Sequence, residues 1–169
     1  TPHGDLVHSE NLTVAQRRFV MHFQHEALAR RFYLAGGAGL SAGYLGHRFA
    51  DDLDFFGPDP VPVTRLVSFM QGLDGLSSLQ WLLPRERTTF LLTWDDGSQV
   101  KVEYRQFDFP LLGAPRPAGL LYIESLEDLI IDKIAALTER HYALDRIDIL
   151  LALDQHGGLG LRAAISHCE

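Results

Sequence analysis

One cysteine, Cys168, is all that the 169-residue chain contains. That excludes an intrachain disulfide framework and a zinc site built on cysteines. Long apolar runs are also missing, because charge or glycine interrupts each hydrophobic stretch before the roughly 20 residues that a membrane-crossing helix needs. No membrane partner is expected. The opening stretch "TPHGDLVHSENLTV" has no basic segment followed by an apolar one, so no secretory signal is expected there. Together these features point to a reducing, cytoplasmic setting. Positive charge is in the minority: 15 Lys and Arg against 22 Asp and Glu leave a net charge of −7. Broad, non-specific attraction to a nucleic-acid backbone is therefore disfavoured, although a local basic groove would still hold a structured RNA.

What is present is a soluble globular composition, 46% hydrophobic and 22% charged. The length suits one domain with a real core. We read residues 1–169 as a single domain, with a mixed α/β core over about 13–123 and a helical part over about 124–169. There is no internal repeat and no low-complexity linker.

Thr13 followed by Gln16 forms a capping-box signature, and Val14, Val20, Phe23, Ala27 and Leu28 fall roughly on helical spacing, so "TVAQRRFVMHFQHEALARR" is read as an amphipathic helix. "RFYLAGG" suits a buried strand entering a glycine turn, and "AGLSAGYLGH" a short helix. "FADDLDFF" is strand-like and "GPDPVP" stops it. "VTRLVSFMQGL" reads as a helix and "SLQWLL" as a strand. "RTTFLLTW" and "SQVKVEYRQF" flank "DDGS", where Asp96-Gly97 signals a hairpin turn. "PLLGAPRPAG" reads as a turn-rich connection and "LLYIE" as the last strand. Ser125, with Asp128 three positions on, caps a helix through "LEDLIIDKIAALTER". "ALDRIDILLALDQH" continues as another helix ended by Gly157 and Gly158. This mixture predicts an α+β layer arrangement.

Alternation along "FADDLDFF" places Asp52 and Asp54 on one side of an extended segment and Leu53 and Phe55 on the other, which leaves Asp51 as a solvated bystander. Two carboxylates that point the same way repel unless a cation or a proton intervenes. A hard divalent cation, Mg²⁺ or Mn²⁺, takes oxygen ligands of this kind, and nucleotidyl transfer uses such a pair with a third carboxylate. Glu103, on the polar side of "VKVEY", is the candidate third ligand; the plainer reading makes it an ion-pair partner of Lys101 or Arg105. Gly36 and Gly37 would let phosphates approach the backbone at a helix start. His47 and Arg48 would orient carboxylates or phosphate, or Arg48 would simply neutralise the crowded aspartates. Lys133 is either an exposed helix residue or a cation that reaches a triphosphate, and Asp145 and Asp148 are cap or surface charges on the plain reading.

With these parts in this order, the chain resembles the nucleotidyltransferase superfamily with the DNA polymerase β-like core, which carries a Gly-Gly or Gly-Ser turn ahead of an Asp-x-Asp strand. More narrowly, "GGAGLSAGYLGHRFADDLDFF" is similar to the AbiEii/AbiGii toxin-like branch. Gly36, Gly37, Leu40, Tyr44, His47, Arg48, Asp52, Leu53, Asp54 and Phe55 fall at matching positions, and "DKIAALTERHYALDRIDIL" echoes the downstream motif through Lys133, Leu137, Arg140, Asp145 and Asp148. The chain departs from the branch at Ala38, where Thr is usual, at Ala50, where Ser is usual, and at Leu144, where Arg is usual.

The resemblance implies an α+β polymerase β-like core with a helical C-terminal part. It also implies transfer of a nucleoside monophosphate from an NTP to a hydroxyl or phosphate acceptor on a tRNA, a protein or a small molecule. Asp52, Asp54 and Glu103 would hold Mg²⁺ or Mn²⁺. Gly36, Gly37, Arg48 and Lys133 would bind the nucleotide, and Asp145 would be a base or an orienting group. The implied setting is a toxin–antitoxin or phage-defence module with a cognate antitoxin. The alternative is a catalytically silent member that keeps the fold to bind a nucleotide or a partner, a reading that Ala38 and Leu144 favour. An open acidic cleft would favour a cationic small-molecule acceptor, whereas an Arg or Lys patch beside the cleft would favour RNA.

Overall fold

The capping box at Thr13 forms as expected: the Thr13 hydroxyl accepts the Gln16 N–H at 3.2 Å, and the Gln16 side chain accepts the Thr13 N–H at 2.9 Å. The computed structural model that shows this describes residues 6, 8–82, 88–139 and 143–156; Arg140, His141, Gly157, Gly158 and Cys168 lie outside them. Helix α1 spans Val14–Phe23 and buries Ala15, Gln16, Phe19, Val20 and Phe23. Val14 is not part of that face, being 64% exposed. The helix also ends sooner than its periodicity suggests, because Glu26 is extended and Ala27–Arg31 form a separate 3₁₀ turn.

Seven strands follow among the described residues: β1 (Tyr33–Ala35), β2 (Asp52–Gly57), β3 (Leu76–Leu82), β4 (Thr88–Trp94), β5 (Gln99–Gln106), β6 (Arg116–Ala118) and β7 (Leu121–Ile123). They form one mixed sheet in the order β3-β4-β5-β2-β1-β7-β6. Strand β2 runs parallel to β5 and antiparallel to β1, while β1 runs parallel to β7. The β4–β5 hairpin turns at the predicted Asp96-Gly97, with Gly97 at φ +81°. Strand β6 was not expected, since its segment reads as turn-rich. It lies at the sheet edge, where Pro117 needs no ladder donor on its outer side, and it pairs with β7 across Gly119 at φ +64°.

One face of the sheet is covered by α1 and α3 (Val63–Gln71), around a cluster of rings in which Phe23 meets Phe55 at 4.9 Å and Phe55 meets Tyr104 at 5.4 Å. Burying such side chains is the main stabilising term, at roughly 1.5–3 kcal/mol for each large apolar residue. A second cluster, Leu40, Leu45, Leu129, Ile130 and Ala152, joins the glycine-led helix α2 (Gly36–Leu40) to α4 (Leu126–Glu139) and α5 (Ala143–His156). This packing clamps the turn that follows β1 between the sheet and the C-terminal helices. Ser125 caps α4 by accepting the Asp128 N–H at 3.1 Å, and the Asp128 carboxylate accepts the N–H groups of Leu112 and Gly113 at 2.9 and 3.0 Å. The architecture is the α+β arrangement expected. Among the described residues no helix is long and apolar enough to cross a membrane.

Candidate active site

The two glycines of the turn do different work. Gly36 has φ +59°, which favours glycine, and a β-carbon there would collide with Oδ2 of Asp54. A β-carbon on Gly37 would stand 3.0 Å from Nη2 of Arg48. Each missing side chain therefore makes room for one functional group: the Asp54 carboxylate lies over Gly36, and the Arg48 guanidinium lies against Gly37. The chain then continues through α2 into a π-helical turn, Ser41–Leu45, closed by Gly46 at φ +61°. The Ser41 hydroxyl donates to the carbonyl of Arg48 and fixes the approach to β2.

Parallel pairing of β2 with β5 sets Asp54 opposite Glu103 and Asp52 opposite Lys101, while Ala35 of β1 faces Asp54 from the other side. Because alternate residues share a face, Asp52, Asp54 and Glu103 lie on one face of these two neighbouring strands. Asp51 is exposed, as expected of a bystander. Lys101 sits among the three carboxylates, and its Nζ is 2.7 Å from Oδ2 of Asp52. That bond holds the lysine amine above its ordinary range, against the opposing effect of partial burial. Among the described residues no three His, Cys, Asp or Glu side chains are gathered into a ready metal centre. The donors are nevertheless all oxygen, in register on neighbouring strands, and Lys101 marks a cation position beside Asp52. In donor type they fit a hard divalent ion.

The chain has two lysines, and the second, Lys133, occupies the other side of the turn. It is 8% exposed, and its Nζ bonds Oδ1 of Asp145 at 2.7 Å and Oδ2 of Asp148 at 3.0 Å. Asp148 also accepts Nε and Nη2 of Arg48 at 2.9 and 2.8 Å and pairs with Nε2 of His47 at 2.7 Å. Lys133, Asp145 and Asp148 are therefore buried network members and neither exposed helix residues nor surface charges. Arg48 also donates Nη1 to the Phe49 carbonyl at 3.0 Å, so Asp148 and the backbone ahead of β2 together fix its guanidinium. Burial alone would raise the Asp148 pKa, but the Arg48, His47 and Lys133 contacts outweigh it and hold the carboxyl well below the usual range. The same Asp148 bond raises the Arg48 pKa. Ala38 and Ala50, where hydroxyls were expected, both pack in the main core. Leu144 is exposed.

One acidic residue of the region has no signal in the sequence. Glu124 follows β7, and its N–H donates to the carbonyl of Leu34 at 3.0 Å, which puts it beside Ala35. It is 0% exposed, and among the described residues neither carboxyl oxygen has a hydrogen-bond partner. Burial, then Asp132, Asp128 and Asp54, push its pKa up to about 9. Asp132, raised to about 6 by burial and by Asp128, lies in the same field.

No family model matches the chain. An uncharacterized protein of Aquifex aeolicus (strain VF5), aq_aa25, is 34% identical over 128 residues, covering 75% of this chain and 59% of that relative. The chain thus spans about three-fifths of the length of the curated relative that it matches. Among solved structures, JHP933 from Helicobacter pylori is similar with a TM-score of 0.63 at 21% identity, covering 88% of this chain and 65% of that one. A protein from H. pylori described as a candidate nucleotidyltransferase has a TM-score of 0.59 at 20% identity, with coverage of 82% and 63%. The Megavirus polyadenylate synthase has a TM-score of 0.54 at 13% identity, with coverage of 83% and 32%. These likenesses, together with the seven-stranded mixed sheet, establish that the chain has the nucleotidyltransferase fold.

Proposed function

We propose that the protein is a metal-dependent nucleotidyltransferase that transfers a nucleoside monophosphate from an NTP to an acceptor hydroxyl. The observation that carries this reading is the register that sets Asp52 and Asp54 on β2 beside Glu103 on β5, next to a glycine turn shaped around Asp54. In the reaction the acceptor oxygen forms a bond to the α-phosphorus and the bond from that phosphorus to the pyrophosphate oxygen breaks. Pyrophosphate leaves with the electron pair, and the hydroxyl proton passes to solvent or to a carboxylate of the row.

Asp52, Asp54 and Glu103 would hold Mg²⁺ or Mn²⁺, which supplies charge neutralisation and a more acidic hydroxyl when bound. The phosphates would lie over Gly36 and Gly37, with Arg48 behind the turn as the positive group. Lys133, through Asp148, holds Arg48 in place, and Asp145 orients Lys133. Oriented cations and backbone groups of this kind act chiefly by preorganised electrostatics. The finer reading, membership of the AbiEii/AbiGii toxin-like branch with a cytoplasmic toxin–antitoxin or phage-defence role and a cognate antitoxin, is supported by the motif residues around Gly36, Asp52 and Lys133.

The test is incubation with each radiolabelled NTP, Mg²⁺ and either total RNA or cell extract, beside Asp52→Asn and Asp54→Asn variants. Label transfer that both variants abolish supports the reading. Absence of transfer, with no Mg²⁺-dependent NTP binding in calorimetry, overturns it. One observation favours a second reading, a silent nucleotide-binding member: the Lys101–Asp52 pair holds one carboxylate of the row. NTP binding without transfer to any acceptor would select that reading.

A further inference from the structure

The face that carries the carboxylates continues along the strands into a different chemistry. Two residues beyond Asp54 and Glu103 come Phe56 and Arg105, opposite each other, and Tyr33 of β1 faces Phe56. Tyr122 of β7 lies beside Tyr33, since Leu34 and Ile123 are partners in a parallel pair. Phe107 stacks on Phe56 at 5.9 Å with 18° between the rings, and Phe109 packs on Phe107 at 5.4 Å. The Arg105 guanidinium stands 5.8 Å from the Phe56 ring and 5.9 Å from the Phe107 ring. An open groove of about 410 Å³ is lined by Tyr33, Phe107, Phe109 and Tyr122 together with Arg30 and Arg31. Phe109 is 66% exposed within it.

We propose that this groove receives the terminal bases of a single-stranded nucleic acid acceptor. The proposal rests on reading the carboxylate row as a nucleotidyl-transfer site. Its basis is the order of chemistries along the face. First comes the acidic row, then rings, and then arginines that precede β1 and so lie beyond Tyr33; a β-carbon on Gly57, the residue after Phe56, would strike the Arg31 carbonyl. An acceptor strand presents its groups in the same order: terminal hydroxyl, base, then the phosphates on the 5′ side. A free NTP has no phosphate beyond its base, so the arginines at the far end favour a strand. Arg30 is exposed, and Arg31 makes a 3.4 Å contact with exposed Asp59, weak enough to exchange for phosphate. Asp108 also lines the groove. With a chain charge of −7, binding elsewhere on the surface is disfavoured, which concentrates recognition on the rings and these few cations. Stacking on aromatic side chains tolerates any base, and each stacked base contributes roughly 1–3 kcal/mol, or about 5- to 150-fold in affinity.

The experiment is fluorescence anisotropy with a 5′-labelled 12-nucleotide single-stranded RNA, its DNA counterpart and the matching blunt duplex, using wild type, Phe109→Ala, Arg30→Glu and an Asp52→Asn, Asp54→Asn double variant. Thermal melts check that each variant is folded. We expect one or both single strands to bind better than the duplex, Phe109→Ala to weaken that binding about 10-fold, and Arg30→Glu to reduce both affinity and its dependence on salt. The double variant, whose groove is intact, keeps its affinity; this separates failure of the groove from failure of catalysis. Equal binding of the duplex, no binding of either single strand, or unchanged affinity in both Phe109→Ala and Arg30→Glu overturns the proposal.

Discussion

Replacing Glu124 by glutamine is expected to stabilise the protein at neutral pH and to flatten part of its dependence on pH. The side chain is fully buried, its two carboxyl oxygens have no partner among the described residues, and Asp132, Asp128 and Asp54 add negative potential from α4 and β2. Its folded pKa is about 9, whereas an unfolded glutamate titrates near ~4.3. The protonated form is therefore the one compatible with the fold. Stability from this group is fully present below ~4.3 and falls as pH rises, because the unfolded state releases the proton first; the loss is complete once the folded pKa is passed. The slope is about 1.4 kcal/mol per pH unit, which from ~4.3 to pH 7 amounts to at most about 4 kcal/mol. That is a large share of the ~5–15 kcal/mol that separates folded from unfolded domains. Glutamine keeps the shape and cannot ionise. Urea unfolding of both proteins at pH 5, 6, 7 and 8 isolates the effect, since every other group titrates in both. The wild type should lose stability relative to the variant as pH rises. Parallel pH profiles for the two proteins would refute the reasoning.

Three further outcomes follow from the site. Gly36→Ala combines backbone strain of about 1–2 kcal/mol with a methyl group in the place of the Asp54 carboxylate; transfer should fall at least ~10-fold with a modest drop in Tm, and wild-type activity would show that Asp54 needs no such room. Lys133→Met leaves Asp145 and Asp148 buried with one cation fewer and should cost about 3–5 kcal/mol in urea unfolding; a change near zero would mean that the network relaxes freely. Lys101→Met releases Asp52 from its 2.7 Å ion pair; a partly exposed pair of this kind contributes up to about 1 kcal/mol, and Mn²⁺ binding followed by electron paramagnetic resonance should tighten by up to about 5-fold. Unchanged Mn²⁺ affinity would mean that Lys101 does not compete with a metal.

Several features were legible in the linear chain because they depend on neighbours a few residues apart. The Thr13–Gln16 cap, the Asp96-Gly97 hairpin, and the alternation that separates Asp52 and Asp54 from Asp51 and Leu53 are all set by local backbone geometry. So is the placement of Lys101 and Glu103 on one side of β5. Strand β6 was hidden because its short, proline-containing segment gains its hydrogen bonds from β7 and from its edge position.

The sequence by itself determined the α+β class, the carboxylates on one side of their strands and the glycine turn in front of them. Only the tertiary structure decided what those groups meet. Parallel pairing of β2 with β5 set Lys101 on Asp52, and the docking of α5 brought Asp148 to Arg48 from 100 positions away. Continuation of the same sheet face placed rings and arginines beside the carboxylates. Glu124 looks like any strand-end glutamate until β1 and α4 close over it. Spacing along a chain fixes which way a side chain points, but the partner it finds there is chosen by strand order and helix packing between segments far apart in sequence.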